Sequence, residues 1–276
     1  MTPTTAGATM APATAGATMA SATTARPVDP VTGMRLDLED IRIGYGDSTV
    51  IDGFDLVVGA GEIVVLTGPS GCGKSTILRA VAGLLPVRGG RILADGDPVG
   101  TTSRDRAMVF QDDALHPWRT VRGNILLALT LRGVPRRHRR DQAEQWITEI
   151  GLDGFADHLP KSLSGGMRQR VQLARGLAGS PRAVLMDEPF GALDAQTRTA
   201  MQRLLLQTLS AHPSTVVFVT HDVDEALLLG DRVVVLGRAG ETVRATVDVP
   251  HPRDPDRRGD DATRRLRRTI LDALEK

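Results

Sequence analysis

Two stretches near the start of the chain, Arg35–Ile43 and Val50–Val58, alternate apolar and polar positions, which predicts half-exposed strands of an antiparallel layer. The next apolar run does not alternate. Glu62–Thr67 (EIVVLT) is β-branched and apolar up to a glycine, as suits a strand buried on both faces. Lys74–Leu84 then takes up helical spacing and stops around Gly83. Ala107–Phe110, Ala183–Met186, Thr215–Val219 and Arg232–Leu236 are further short buried strands, alternating with helical patterns near Ala195–Ser210 and Asp222–Leu228. This alternation predicts a doubly wound, mostly parallel α/β sheet.

Between Asp112 and about Ser162 the strand pattern disappears. Val121–Arg132 and Arg137–Ile150 have helical periodicity, separated by Gly133-Val134-Pro135, so a helical insertion is expected over about 112–165. After Pro250 the chain becomes charged and proline-rich, and a short helix is expected over Thr263–Glu275. The segment 251–276 therefore reads as a charged C-terminal tail behind a main domain spanning 34–250. Residues 1–33 contain a near-repeat, Thr4–Ala11 (TTAGATMA) and Ala13–Ala20 (ATAGATMA). Such small residues cannot build a core, so a disordered leader is expected, either a solvated extension or sequence upstream of a true start at Met34.

Composition narrows the classes. The 276 residues suffice for one large domain, and a net charge of +1 makes no global case for nucleic-acid binding. Cys72 is the single cysteine, which excludes an internal disulfide framework and fits a reducing compartment. No apolar run reaches the ~18–20 residues of a membrane span, so any membrane role is expected to come through a partner.

Three motifs carry chemistry. Gly68-Pro69-Ser70-Gly71-Cys72-Gly73-Lys74-Ser75, followed by Thr76, matches G-x-x-x-x-G-K-[ST] between a buried strand and a helix. Its glycines let backbone N–H groups cradle phosphate oxygens, and the helix adds its positive end. Lys74 is expected at the β- and γ-phosphates of ATP, and the Ser75 hydroxyl on Mg²⁺. Val184–Met186 runs into Asp187 and Glu188, where the first acid suits the Mg²⁺ shell and the second can polarise an attacking water. Leu163-Ser164-Gly165-Gly166 opens a further helix, with Ser164 as N-cap and two glycines exposing N–H groups to an anion. A chain that already encloses one triphosphate has use for this second turn if it caps nucleotide held by another copy. A bare helix start is the bland reading of the same residues.

With these pieces in order, residues of about 35–240 resemble the ATP-binding subunit of an ABC transporter. The resemblance implies a P-loop NTPase with a RecA-like parallel core, an N-terminal antiparallel β layer and an inserted helical subdomain. Leu163–Gly166 is similar to the signature motif, Gln111 to the glutamine that senses Mg²⁺ and the γ-phosphate, and His221 to the switch histidine that touches that phosphate. Gly191–Asp194 resembles the turn that crosses the dimer interface, and Tyr45 the aromatic residue that stacks on adenine. The implied catalytic set is Glu188, His221, Gln111 and Lys74, with Ser75, Gln111 and Asp187 on Mg²⁺.

A finer resemblance, carried by Val109–Trp118 and Met186–Arg198, points to the nitrate, sulfonate and taurine importer branch. His116 stands where that branch usually has leucine. Implied partners are two-subunit transmembrane permeases, a second copy of the chain and, indirectly, an extracytoplasmic solute-binding protein, with no nucleic acid. The place of work would be the cytoplasmic face of the membrane. Ala114, Leu115 and Trp118 are candidates for docking the permease, with packing of the helical insertion an equal alternative for Trp118. The rival reading is a soluble ABC ATPase acting on nucleic acid or ribosomes. One cassette and a short insertion count against it, and a phosphoryl-transferring kinase leaves the Ser164–Gly166 turn without a use. Arg136–Arg140 (RRHRR) reads first as a solvated helix face and second as a membrane-headgroup patch. Cys72, next to a helix N-terminus, is expected to be alkylated in a way ATP prevents.

Overall fold

The computed structural model describes residues 33–112, 114–238, 243–250, 252 and 260–275. In chain order these form β1 (Leu36–Tyr45), β2 (Ser48–Val58), β3 (Ile63–Thr67), α1 (Lys74–Val81), β4 (Gly89–Ala94), β5 (Asp97–Pro98) and β6 (Arg106–Val109). Helices α2 (Val121–Leu131), α3 (Arg136–Glu149) and α4 (Gly165–Leu177) follow, with two short 3-10 turns between the last two. The chain then runs through β7 (Ala183–Asp187), α5 (Ala195–Ala211), β8 (Thr215–Val219), α6 (Val223–Leu229), β9 (Arg232–Leu236), β10 (Val243–Asp248) and α7 (Asp261–Glu275).

The central sheet has the order β10-β9-β3-β8-β7-β6, parallel from β9 to β6, with β10 antiparallel at the edge. Every residue of β3, β7 and β8 is buried, which is why their sequences are continuous apolar runs. Successive side chains still point to opposite faces. Val65, Met186, Val216 and Phe218 join a core beneath α2 to α7, while Val64, Leu66, Leu185 and Val217 join one with α1 and the antiparallel layer. Burial of one such side chain is worth roughly 1.5–3 kcal/mol, several times a surface ion pair. The two-sided sheet, not the many surface arginine–carboxylate pairs, therefore fixes the strand ends.

The second sheet, in the order β2-β1-β4-β5, is antiparallel throughout and lies over α1. Its β1 alternates as expected, with Leu36, Leu38, Ile41 and Ile43 buried and a register shift between Leu38 and Ile41. Helices α2 and α3 pack on each other and on α4. Thr120 starts α2 by accepting from the Gly123 N–H at 3.0 Å.

Some expectations are altered. Strands β4, β5 and β10 add to those foreseen. The helix expected over Thr263–Glu275 is present as α7, and it is docked: Ile270 and Ala273 are buried in the same core as Phe218 and Val233. The expected leader lies outside the described residues except for Gly33, as does most of the proline-rich stretch after Pro250.

Candidate nucleotide site

The loop from Gly68 to Gly73 joins β3 to α1, and Gly73 is where glycine is most clearly required. Its φ is 101°, and a Cβ there would lie 2.4 Å from Cδ1 of Ile51 on β2. Glycine thus lets the loop turn sharply into α1 while packed against the antiparallel layer. Gly73 caps α1 with no side-chain bond, and the first turn of α1 carries no acid. The first N–H groups of this helix and its positive end are left to an anion. The Lys74 ammonium is buried and donates to the carbonyls of Gly68 (2.8 Å) and Pro69 (3.0 Å), which share a charge that would be costly to bury alone.

The strand register assembles the rest. Val109 of β6 pairs with Met186 of β7, and Asp187 of β7 pairs with Val219 of β8. Leu66 of β3 is paired with Val219 in turn. Gln111, Asp187, Glu188, His221 and the phosphate loop consequently leave the sheet at one edge, the carboxyl ends of neighbouring parallel strands, where open α/β sheets hold their ligands. Ser75 donates its hydroxyl to Asp187 Oδ1 at 2.8 Å. Burial pushes the Asp187 carboxyl above its ordinary range, opposed by the Ser75 hydrogen bond and the Arg79 charge. His221 Nδ1 lies 3.1 Å from Glu188 Oε2. A carboxylate only accepts, so Nδ1 is the donor and Nε2 is left for another group. Glu188 has a φ of 42°, a left-handed conformation that costs a residue with a Cβ roughly 1–2 kcal/mol. The bond from its N–H to the Val219 carbonyl at 3.0 Å holds it there.

The Ser164–Gly166 turn lies elsewhere. Ser164 caps α4 by accepting from the Met167 N–H at 3.3 Å, and Ser164 and Gly165 are exposed. This turn borders a cleft of about 610 Å³ shared with Phe155, Asp194 and Thr197. Asp194 caps α5, and its carboxylate is held below the usual range by the Thr197 backbone N–H and then the Thr197 hydroxyl. Among the described residues, no hydrogen bond or ion pair joins this turn to the phosphate loop of the same chain.

Residues 51–191 match the sequence profile described as ABC transporter. The chain belongs to the ABC transporter family. It is an ATP-binding subunit and an ATPase of that family. The aliphatic sulfonates import ATP-binding protein SsuB 1 of Rhodococcus jostii (strain RHA1) is 47% identical over 240 residues, covering 87% of this chain and 93% of that protein. The taurine import ATP-binding protein TauB of Pseudomonas putida (strain KT2440) is 47% identical over 203 residues, covering 73% and 78%. A solved ATP-binding cassette, captured as a dimer in a post-hydrolysis state with ADP and Pi, superposes with a TM-score of 0.69 at 30% identity, covering 78% of this chain and 99% of that one.

Within this ABC cassette, Tyr45 ends β1 beside α1, where Arg79 Nη1 donates to its hydroxyl at 3.4 Å. Cys72 is 3% exposed, so the expected alkylation would require the phosphate loop to open. Leu115 belongs to the core and is not available for docking, whereas Trp118 is 72% exposed and Trp146 does the packing within the helical layer. The Arg136–Arg140 run is mostly solvent-exposed at the start of α3. Two site-adjacent residues escaped sequence reasoning. Gln169 and Gln172, both buried on α4, donate to backbone carbonyls at Pro189 and on either side of Gln111. Their signal was present, since polar side chains at core-facing helix positions need buried partners.

Proposed function

We propose that this ABC ATPase powers uptake of a small sulfonate, of the aliphatic sulfonate and taurine class, as a homodimer on the cytoplasmic face of a membrane permease. The substrate class rests on the names of relatives that align over most of their length. No described helix is long and apolar enough to cross a membrane, so the solute path would belong to the permease subunits, fed by an extracytoplasmic solute-binding protein. A groove of about 590 Å³ beside Gln111, lined by Arg104, Phe110, Ala114, His116, Leu127 and Leu131, is the surface offered to that permease.

The observation that carries the chemistry is the pairing of Ser75 with Asp187 and of Glu188 with His221 at one sheet edge. The phosphate loop, Gly68–Gly73 with Thr76, would hold the triphosphate of ATP, Lys74 would bridge its β- and γ-phosphates, and Tyr45 would stack on adenine. Ser75, Asp187 and Gln111 supply oxygen donors only, which suits Mg²⁺. Among the described residues no cluster of three or more acidic, histidine or cysteine side chains could hold a metal alone. When bound, Mg²⁺ neutralises phosphate charge. Glu188 accepts a proton from the attacking water as its oxygen bonds to the γ-phosphorus, and the bond to the ADP oxygen breaks with its electron pair. His221, oriented by Glu188 through Nδ1, would reach the γ-phosphate as the imidazolium, the one form of the ring in which Nε2–H also donates. Ser164, Gly165 and Gly166 of the second copy would close over the same phosphate.

The test removes the base. Glu188→Gln should bind MgATP with unchanged affinity while steady-state turnover falls at least 100-fold. ATP hydrolysis at the normal rate would exclude Glu188 as the base. The same allele should fail to restore growth on taurine or an alkanesulfonate as sole sulfur source in a strain deleted for the gene. Undiminished growth of the deletion strain on both would move the substrate outside this class.

A further inference from the structure

Helix α4 begins at the Ser164–Gly166 turn, but its later turns face the loop that carries Gln111. Gln172 is 1% exposed on that face. Its Nε2 donates to the carbonyl of Phe110 at 2.7 Å and to that of Asp112 at 2.8 Å, the residues on either side of Gln111. Both partners are acceptors and a carboxamide nitrogen carries two donors, so chemistry dictates this orientation of the amide. One turn further on, Arg175 Nη1 donates to the Ala114 carbonyl at 2.6 Å. Ala114 has a φ of 39°, a left-handed conformation that its Cβ disfavours. The loop thus follows a course it would not choose alone, and α4 supplies the bonds that hold it.

We propose that Gln172 is the positioning residue for Gln111: its carboxamide ties both flanks of that glutamine to α4, so that the Gln111 turn and the Ser164–Gly166 turn move as one body. The proposal rests on the reading of Gln111 as a Mg²⁺ and γ-phosphate residue. One helix would then present its N-terminus to the nucleotide of the second copy while its middle sets Gln111 at its own. Closure at one nucleotide is thereby transmitted to the other through a rigid element rather than through the sheet. Gln169, which donates to the Pro189 carbonyl next to Glu188, extends the same link to the proposed base.

Gln172→Met keeps the length and bulk of the side chain and removes both donors. In the full-length protein, backbone hydrogen exchange at Phe110, Gln111, Asp112, Ala114 and Leu115 should accelerate about tenfold, with the first turn of α4 unchanged. In the wild-type background kcat/KM for MgATP should fall roughly tenfold. In a Gln111→Ala background the same substitution should change nothing further, because its only route to the chemistry is gone. Equal losses in both backgrounds, or no loss beside an impaired Gln111→Ala protein, would overturn the proposal. A Gln111→Ala protein as active as wild type would instead overturn the reading of Gln111 itself, and the positioning role with it. Gln172→Glu, of the same shape but facing two carbonyls with acceptors only, runs through the same cycle should the methionine protein fail to fold.

Discussion

The Asp187 carboxyl shows most directly how this site sets stability against function. The phosphate loop, the acid pair and the histidine were all legible as residue types at motif spacing. The left-handed backbone of Glu188 and the desolvation of Asp187 were not, because both arise from strands paired across the sheet. Burial raises the Asp187 pKa above its unfolded value. Its contribution to stability is therefore fully present below the ordinary aspartate pKa and is lost as pH rises through the elevated folded value. At neutral pH the nucleotide-free protein carries a buried, incompletely compensated charge. Asp187→Asn keeps an acceptor for the Ser75 hydroxyl and removes that charge. The nucleotide-free Asn protein should melt roughly 2–4 °C higher at pH 7.5, about 1 kcal/mol, and the gap should narrow towards pH 4. MgATP should then raise the melting temperature of the variant less than that of wild type. A lower melting temperature than wild type at pH 7.5 would mean that the charge is already satisfied within the chain.

At the scale of elements, buried parallel strands and amphipathic helices announced themselves, and weakly patterned edges did not. Strand β4 opens on Gly89-Gly90, β5 has two residues, and β10 places only Val247 in the core, so none offered a clear period. Helix α7 is legible as a helix, but its docking is not, because Arg264, Arg265, Arg267 and Arg268 dominate its composition. Its Leu266, Ile270, Ala273 and Leu274 share one face, which packs on α6, β9 and β10. That docking matters for the site, since α6 follows directly on the turn that carries His221. Ile270 is 0% exposed, so Ile270→Ala should destabilise the protein by about 3 kcal/mol, roughly 6–12 °C in melting temperature. Arg267 donates to Asp224 at 2.9 Å from an exposed position, and Arg267→Ala should cost less than about 1 kcal/mol. Comparable losses from the two substitutions in calorimetry would show that the helix is held by charge at its rim and not by its apolar face.

For the whole molecule, the decisive residue is a glycine that its own chain does not need. Gly73 is required locally, by its φ and by Ile51, whereas a Cβ on Gly165 would meet nothing nearer than the tip of Arg168 at 4.0 Å. Nor does the backbone at Gly165 lie in the left-handed region. Close approach of something outside the chain is what glycine permits there, and a phosphate held by a second copy fits the capped helix start around it. The argument can be tested by a substitution whose local and global effects have opposite signs. A glutamate in the first turn of α4 suits the helix dipole, so the isolated chain should lose little stability. If the turn caps the second copy's nucleotide as proposed, the same carboxylate would meet the incoming γ-phosphate and repel it. In the Glu188→Gln background, MgATP should double the mass of the protein seen by light scattering. Adding Gly165→Glu should leave MgATP binding to the phosphate loop within about threefold and keep the melting temperature within about 2 °C, while abolishing the doubling. An ATP-driven dimer that survives Gly165→Glu would mean that the two copies close through some other surface. Loss of nucleotide binding in the monomer would mean that the turn serves the chain's own phosphate loop.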